Sequence, residues 1–224
     1  MANPIRILST IGMRLVLEDI APAFERTNGC TLQRIYDSSA AHMQRIAGGE
    51  SGDAAVFTAA AIDDLIRQGK VGRRIDLARS GIGIAVRQGA PKPDIGTPEK
   101  FIHALLAAKS VAHSETGASG LYFVGLIERL GIAEAIRAKA IVHDGLTGEI
   151  AARGDAELAV QQVSELMQVA GIDIVGPLPA ELQNITVFSA SVFNGAPSLA
   201  ETFVAALAAP ASAAVIRANG MDPA

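Results

Sequence analysis

Short aliphatic runs alternate along this chain with longer stretches whose apolar residues recur every three or four positions. Ile5, Ile7 and Leu8 predict a strand over 5–9, and Met13, Val16, Leu17, Ile20 and Phe24 predict a helix after it. Gly29 is the expected stop for that helix, and Pro22 is expected to kink or split it. A second strand over 31–36 leads into Asp37-Ser38-Ser39, good N-cap residues for a helix carrying Met43 and Ile46. A third strand over 53–57 precedes a helix with Ile62, Leu65 and Ile66. Strand–helix alternation of this kind predicts a parallel sheet covered on both faces.

The rhythm changes over 76–93, where Ile82, Ile84 and Val86 alternate with small or charged residues in one long extended segment. A second α/β series follows, with strands at 110–113, 140–142, 158–161 and 172–175 and helices between them. A second long extended segment at 185–192 and two apolar helices, near 199–207 and 211–218, complete the pattern. The predicted fold is α/β, with two Rossmann-like lobes joined by two crossover strands. Lobe one is expected over 1–79 plus 190–224 and lobe two over 80–189. Such lobes form a cleft that closes by hinge bending, with the carboxyl ends of the strands facing the ligand.

Composition narrows the function classes. The chain has 224 residues and is 50% hydrophobic, enough to bury a substantial core. Its net charge of −4, with basic residues scattered, excludes a nucleic-acid-binding surface. No apolar run approaches the ~20 residues of a bilayer span, so no membrane insertion is expected. Cys30 is the only cysteine, which rules out an internal disulfide. The start of the chain leads at once into the first strand and has no export signal, which reads as cytoplasmic unless a signal was removed.

No catalytic constellation emerges. There is no phosphate-binding Gly-rich loop, and Gly117-Ala118-Ser119-Gly120 lacks nucleophile-elbow spacing. The histidines His42, His103, His113 and His143 make no metal pair, so no metal, cofactor or covalent chemistry is expected. What stands out is a set of strand-to-helix turns rich in hydroxyls and glycine: Thr10-Ile11-Gly12, Ser38-Ser39, Thr116 to Gly120, and Asp144-Gly145. Each alone is ordinary helix capping. Together they offer neutral donors and helix N-termini to an anion without lysine or arginine.

The order strand, S-T-x-G-M, helix ending in F-E-R-x-N-G, strand, Y-D-S-S-A-A resembles the periplasmic solute-binding proteins of ABC importers. Gly69-Lys70-Val71, Ala78 to Gly83, Gly120 to Phe123, Gly154 to Gln162 and Gly220 to Pro223 extend the likeness over nearly the whole chain. The group it is most similar to is the molybdate-binding type, with the type II two-lobe fold. That resemblance implies a periplasmic monomer that delivers a small anion to an ABC permease. In molybdate binders two serines of lobe one, and amides plus a tyrosine of lobe two, hold the oxyanion. The first serine falls at Gly12, the second at Ser39, the amides at Ser119 and near Asp144, and the tyrosine at Gln162. With the serine and tyrosine replaced, Thr116, Ser119, Gln161 and Gln162 suit a small organic carboxylate better than molybdate. The alternative is a cytoplasmic ligand sensor or an enzyme on the same fold. The candidate binding residues are Thr10, Ile11, Gly12, Ser38, Ser39, Thr116, Ser119, Gly120, Asp144, Gly145, Gln161 and Gln162.

Overall fold

The structure is a computed structural model and describes residues 4–224. The chain divides into two compact units, the first up to Ser80 with Thr186–Ala224 and the second Gly81–Ile185. The crossings fall one residue later and four residues earlier than the bounds the sequence pattern suggests.

Unit one runs β1 (Ile5–Thr10), α1 (Arg14–Asn28), β2 (Leu32–Asp37), α2 (Ser39–Ala47), β3 (Ala54–Thr58), α3 (Ala59–Arg67) and β4 (Ile75–Ser80). Unit two runs β5 (Ile82–Arg87), α4 (Pro98–Ala107), β6 (Val111–Ser114), α5 (Ala118–Arg129), α6 (Ala133–Arg137), β7 (Ala140–His143), α7 (Thr147–Arg153), β8 (Leu158–Gln162), α8 (Val163–Leu166) and β9 (Ile172–Pro177). The chain then returns to unit one as β10 (Thr186–Val192), α9 (Ser198–Leu207), α10 (Ala213–Ala218) and β11 (Asp222–Pro223).

The unit-one sheet has the order β11-β4-β10-β3-β1-β2. Strands β1, β2 and β3 are parallel, while β10 runs antiparallel to both β3 and β4. Alternation along each strand feeds two cores: Ile7 and Val56 pack with Met13, Leu17 and Phe203 on one face, and Leu8 and Phe57 pack with Ile62 and Leu65 on the other. Helices α9 and α10 bury Phe203, Val204, Leu207 and Ile216 in the first of these cores. That burial accounts for their apolar composition. No single helix among the described residues is long and apolar enough to cross a membrane.

The unit-two sheet has the order β7-β6-β8-β5-β9, with β6, β7 and β8 parallel and β5 antiparallel to β8 and β9. One face buries Ile82, Ile84 and Val160 against Phe101, Phe123 and Leu126. The other carries Ala85, Ala112 and Ala159, small residues that let α7 approach closely with Ala151 and Ile150.

Two expectations need correcting. The extended segment over 76–93 is two strands in two sheets, broken at Gly81. There the Gln183 side chain accepts from the Ile82 N–H at 2.8 Å and donates to its carbonyl at 2.9 Å, pairing with Ile82 as a neighbouring strand would. Helix α1 is also not split by Pro22. That proline lies on the exposed face, where a carbonyl left without its helical donor can be hydrated. Gly29 does end α1, in the left-handed region at φ 61°, with its N–H on the Glu25 carbonyl.

Candidate functional site

In unit one the parallel register sets the level of the turns. Thr10 pairs with Asp37, and Ser9 pairs with both Tyr36 and Val56, so β1, β2 and β3 end together. Each ends where a helix starts, and each turn has its own hydroxyl. Thr10 is 5% exposed, and its side chain makes no hydrogen bond among the described residues. Ser38 caps α2, its hydroxyl accepting from the Ala41 N–H at 3.1 Å. Ser39 accepts from the Thr58 N–H at 3.1 Å, which fixes its oxygen and leaves its own proton to donate.

Gly12 holds its position for a packing reason. A Cβ there would lie 2.7 Å from the Phe188 ring of β10, so the serine that molybdate binders carry has no room. The charge around these turns is also internally balanced. Asp37 accepts from the Ser38 N–H at 2.7 Å and pairs with Arg45, which also bonds Glu50. Arg45 can only donate, so it makes Nδ1 of His42 an acceptor and leaves Nε2–H to donate to the Ser9 carbonyl. Burial holds His42 below its ordinary pKa, with the Ser9 carbonyl opposing, and its ring stacks on Phe57. His42 is therefore a neutral brace between α2 and β1.

Two residues that sequence reasoning passed over belong to this edge. Thr58 ends β3, and its hydroxyl bonds no described residue. The same strand–Thr–helix pattern that marks Thr10 marks it too. Arg14, on the first turn of α1, lies 5.5 Å over the Tyr36 ring and has no hydrogen-bond partner among the described residues. Its charge acts on the Glu18 carboxylate one turn along α1, with no hydrogen bond between the two among the described residues.

In unit two, Ser114, His143 and Gln161 stand at one level at the ends of β6, β7 and β8. The Ser114 hydroxyl accepts from the Gly117 N–H at 2.9 Å. A Cβ at Gly120 would fall 1.9 Å from the Ser114 carbonyl, so only glycine lets α5 start this close to β6. Ser119, on the first turn of α5, is 1% exposed and its hydroxyl has no hydrogen-bond partner among the described residues. That is the site's most telling atom, because an unsatisfied buried hydroxyl costs about 1–3 kcal/mol. His113 places Nδ1 against the Ser114 carbonyl at 3.0 Å, and since a carbonyl only accepts, Nδ1 is the donor.

Several candidates are committed elsewhere. Gln161 is a brace: its oxygen accepts from the Thr147 N–H at 2.7 Å and hydroxyl at 3.0 Å, and its nitrogen donates to the Gly145 carbonyl at 2.8 Å. The Gln161 side chain also bonds the buried carboxyl of Glu165. The Asp144 carboxylate accepts from the Thr116 hydroxyl at 3.2 Å, and as an acceptor-only group it repels an anion. Gln162 ends β8 as the N-cap of α8 and is 2% exposed. Gly145, at φ 103°, turns the chain between β7 and α7. A cavity of about 900 Å³ lies at the opposite end of this sheet, where Arg87, Ala108, Gly154 and Leu158 line it. It is apart from all these turns.

Known proteins share the sequence pattern and the fold. Residues 5–222 match the family described as bacterial extracellular solute-binding protein. An aconitate isomerase of Pseudomonas sp is 36% identical over 228 residues, covering 97% of this chain and 87% of that protein. The periplasmic molybdate-binding protein of Azotobacter vinelandii superposes with a TM-score of 0.81 at 19% identity, covering 97% of this chain and 98% of that one. PEB3 of Campylobacter jejuni, solved with L-phospholactate bound, gives 0.75 at 14% identity, with 97% and 99% covered. The fold is the type II periplasmic-binding-protein fold, and the chain belongs to the bacterial extracellular solute-binding proteins, similar to the molybdate-binding group.

Proposed function

We propose that the chain binds a small polycarboxylate of the aconitate class with the strand-to-helix turns of its two units, closing on it by hinge motion and handing it to an ABC importer. The observation that carries this reading is the set of hydroxyls without internal acceptors or donors: Thr10 and Thr58 in unit one, and buried Ser119 in unit two. Ser39 adds a donor whose oxygen is already fixed. Neutral hydroxyls and helix N-termini suit an anion, and Arg14 adds one cation for a further carboxylate. The Phe188 ring over Gly12 argues against a site shaped for a tetrahedral oxyanion. The 36% identical relative, named for aconitate, supports the ligand class.

That relative also favours a second reading, in which the bound acid is isomerised. Interconverting the two aconitates by an allylic shift takes one proton from the methylene carbon and returns one to the vinylic carbon, with no oxidant or co-reactant. His113, at the β6 end with Nδ1 held by the Ser114 carbonyl, is the residue we assign to such a transfer.

Two measurements separate the readings. Calorimetric titration with trans-aconitate, cis-aconitate, citrate, sulfate and molybdate reports the ligand class. Proton NMR of trans-aconitate with a catalytic amount of protein reports turnover. Binding without interconversion supports the solute-binding reading, and growth of the cis signals supports the isomerase. Tight molybdate binding with no carboxylate response would overturn both.

A further inference from the structure

Glu165, on α8, is an ionisable side chain in the interior of unit two, 9% exposed. Its carboxyl receives the Gln161 side chain and the Gln162 backbone N–H. Gln161 in turn holds both sides of the turn before α7, through the Thr147 N–H and hydroxyl and the Gly145 carbonyl. A single chain of hydrogen bonds thus runs from a buried carboxyl to the turn at 144–147, while Glu165 also grips the backbone of Gln162. Both ends are candidate anion contacts.

Burial pushes the Glu165 carboxyl up to about 7, against the two hydrogen bonds, which pull it down. The charged residues on the elements packed against α8 are Arg87 of β5 and Glu149 and Arg153 of α7, all exposed. None of them figures among the causes of its shift. At the turn itself the titratable groups are Asp144, held by the Thr116 hydroxyl, and His143 of β7, with Nε2 3.6 Å from where a Gly145 Cβ would lie.

We propose that Glu165 is a positioning residue for anion binding by unit two, acting through Gln161 to set the turn at 144–147, and that the site holds its anion more tightly when Glu165 is protonated. The inference rests on the reading that this turn contacts the ligand. Ionisation draws the Gln161 amide toward the carboxylate and away from the Gly145 carbonyl, because hydrogen bonds to charged acceptors are the stronger ones. It also places a negative charge behind the turn in a medium that screens poorly.

Two measurements test it on the full chain. In the ligand-free protein, the Thr147 amide NMR signal should titrate near pH 7 in the native sequence and in His143→Gln, and stay fixed in Glu165→Gln. Calorimetry with trans-aconitate at pH 6.0 and 8.5 should show the native protein losing about five- to tenfold more affinity than Glu165→Gln, a coupling of ordinary size. Protonation of the acid itself is common to both proteins and cancels. A native-to-variant affinity ratio that is constant with pH, or a Thr147 amide that does not titrate, overturns the proposal. Absence of polycarboxylate binding in every protein overturns the functional reading instead, and the Thr147 titration then still decides whether Glu165 controls the turn. That titration in the native chain and in His143→Gln also stands if Glu165→Gln does not fold.

Discussion

The Ser39 hydroxyl accepts a hydrogen bond from the Thr58 N–H at 3.1 Å, joining the start of α2 to the end of β3. Because its acceptor role is filled by the protein, the hydroxyl proton is left for a ligand. Ser39→Ala should weaken polycarboxylate binding about fivefold to a hundredfold, the span between a neutral and a charged acceptor. Calorimetry measures the loss. Unchanged affinity removes Ser39 from the site.

Ser119 calls for opposite effects on stability and binding. Its buried hydroxyl has no partner among the described residues, so Ser119→Ala should leave the ligand-free protein as stable or raise it by up to about 1 kcal/mol. Affinity should fall in the same variant. Thermal melts with and without trans-aconitate give both numbers, and a destabilised apo protein with unchanged affinity contradicts the assignment.

Gly12 and Phe188 form a packing pair that excludes the molybdate-type serine. Gly12→Ser should cost about 1–3 kcal/mol from overpacking against the ring. Adding Phe188→Leu should recover part of that loss. A denaturant-melt double-mutant cycle reads the coupling, and simple additivity would mean that the ring is not what excludes the side chain.

Two buried titratable groups set opposed pH slopes of stability. Glu165 is raised from 4.5 to about 7 in the fold, so the folded state holds the extra proton between those values. Its contribution is present below pH 4.5 and is lost as pH rises toward 7, an interval worth up to about 3 kcal/mol. His42 is lowered from 6.5, chiefly by burial, so its contribution is present above 6.5 and is lost on acidification. Glu165→Gln should therefore match the native protein near pH 4.5 and exceed it at pH 8. A melting-temperature difference that does not grow with pH contradicts this.

Much of the fold was legible because burial leaves a period. The aliphatic run of Ile5, Ile7 and Leu8, the helix stop at Gly29 and the hydroxyl turns after β1, β2 and β6 follow from local chemistry. What was hidden depends on partners far along the chain. The break at Gly81 does not disturb the alternation of Ile82, Ile84 and Val86, since what changes there is the sheet being joined. The Phe188 ring over Gly12 joins residues from distant segments. Gln161 looked like a ligand contact because a glutamine amide suits carboxylates, but its side chain is taken by Gly145, Thr147 and Glu165. Glu165 itself, in Val163-Ser164-Glu165-Leu166, has the pattern of an exposed helix start, and nothing local marks it as buried.

The most direct test is competitive calorimetry of the native chain with trans-aconitate and molybdate, repeated with Ser39→Ala. The expected result is saturable one-to-one binding of the tricarboxylate, no comparable response to molybdate, and a loss of at least fivefold in the variant. Molybdate binding more tightly than the tricarboxylate, or identical curves for the two proteins, would contradict it.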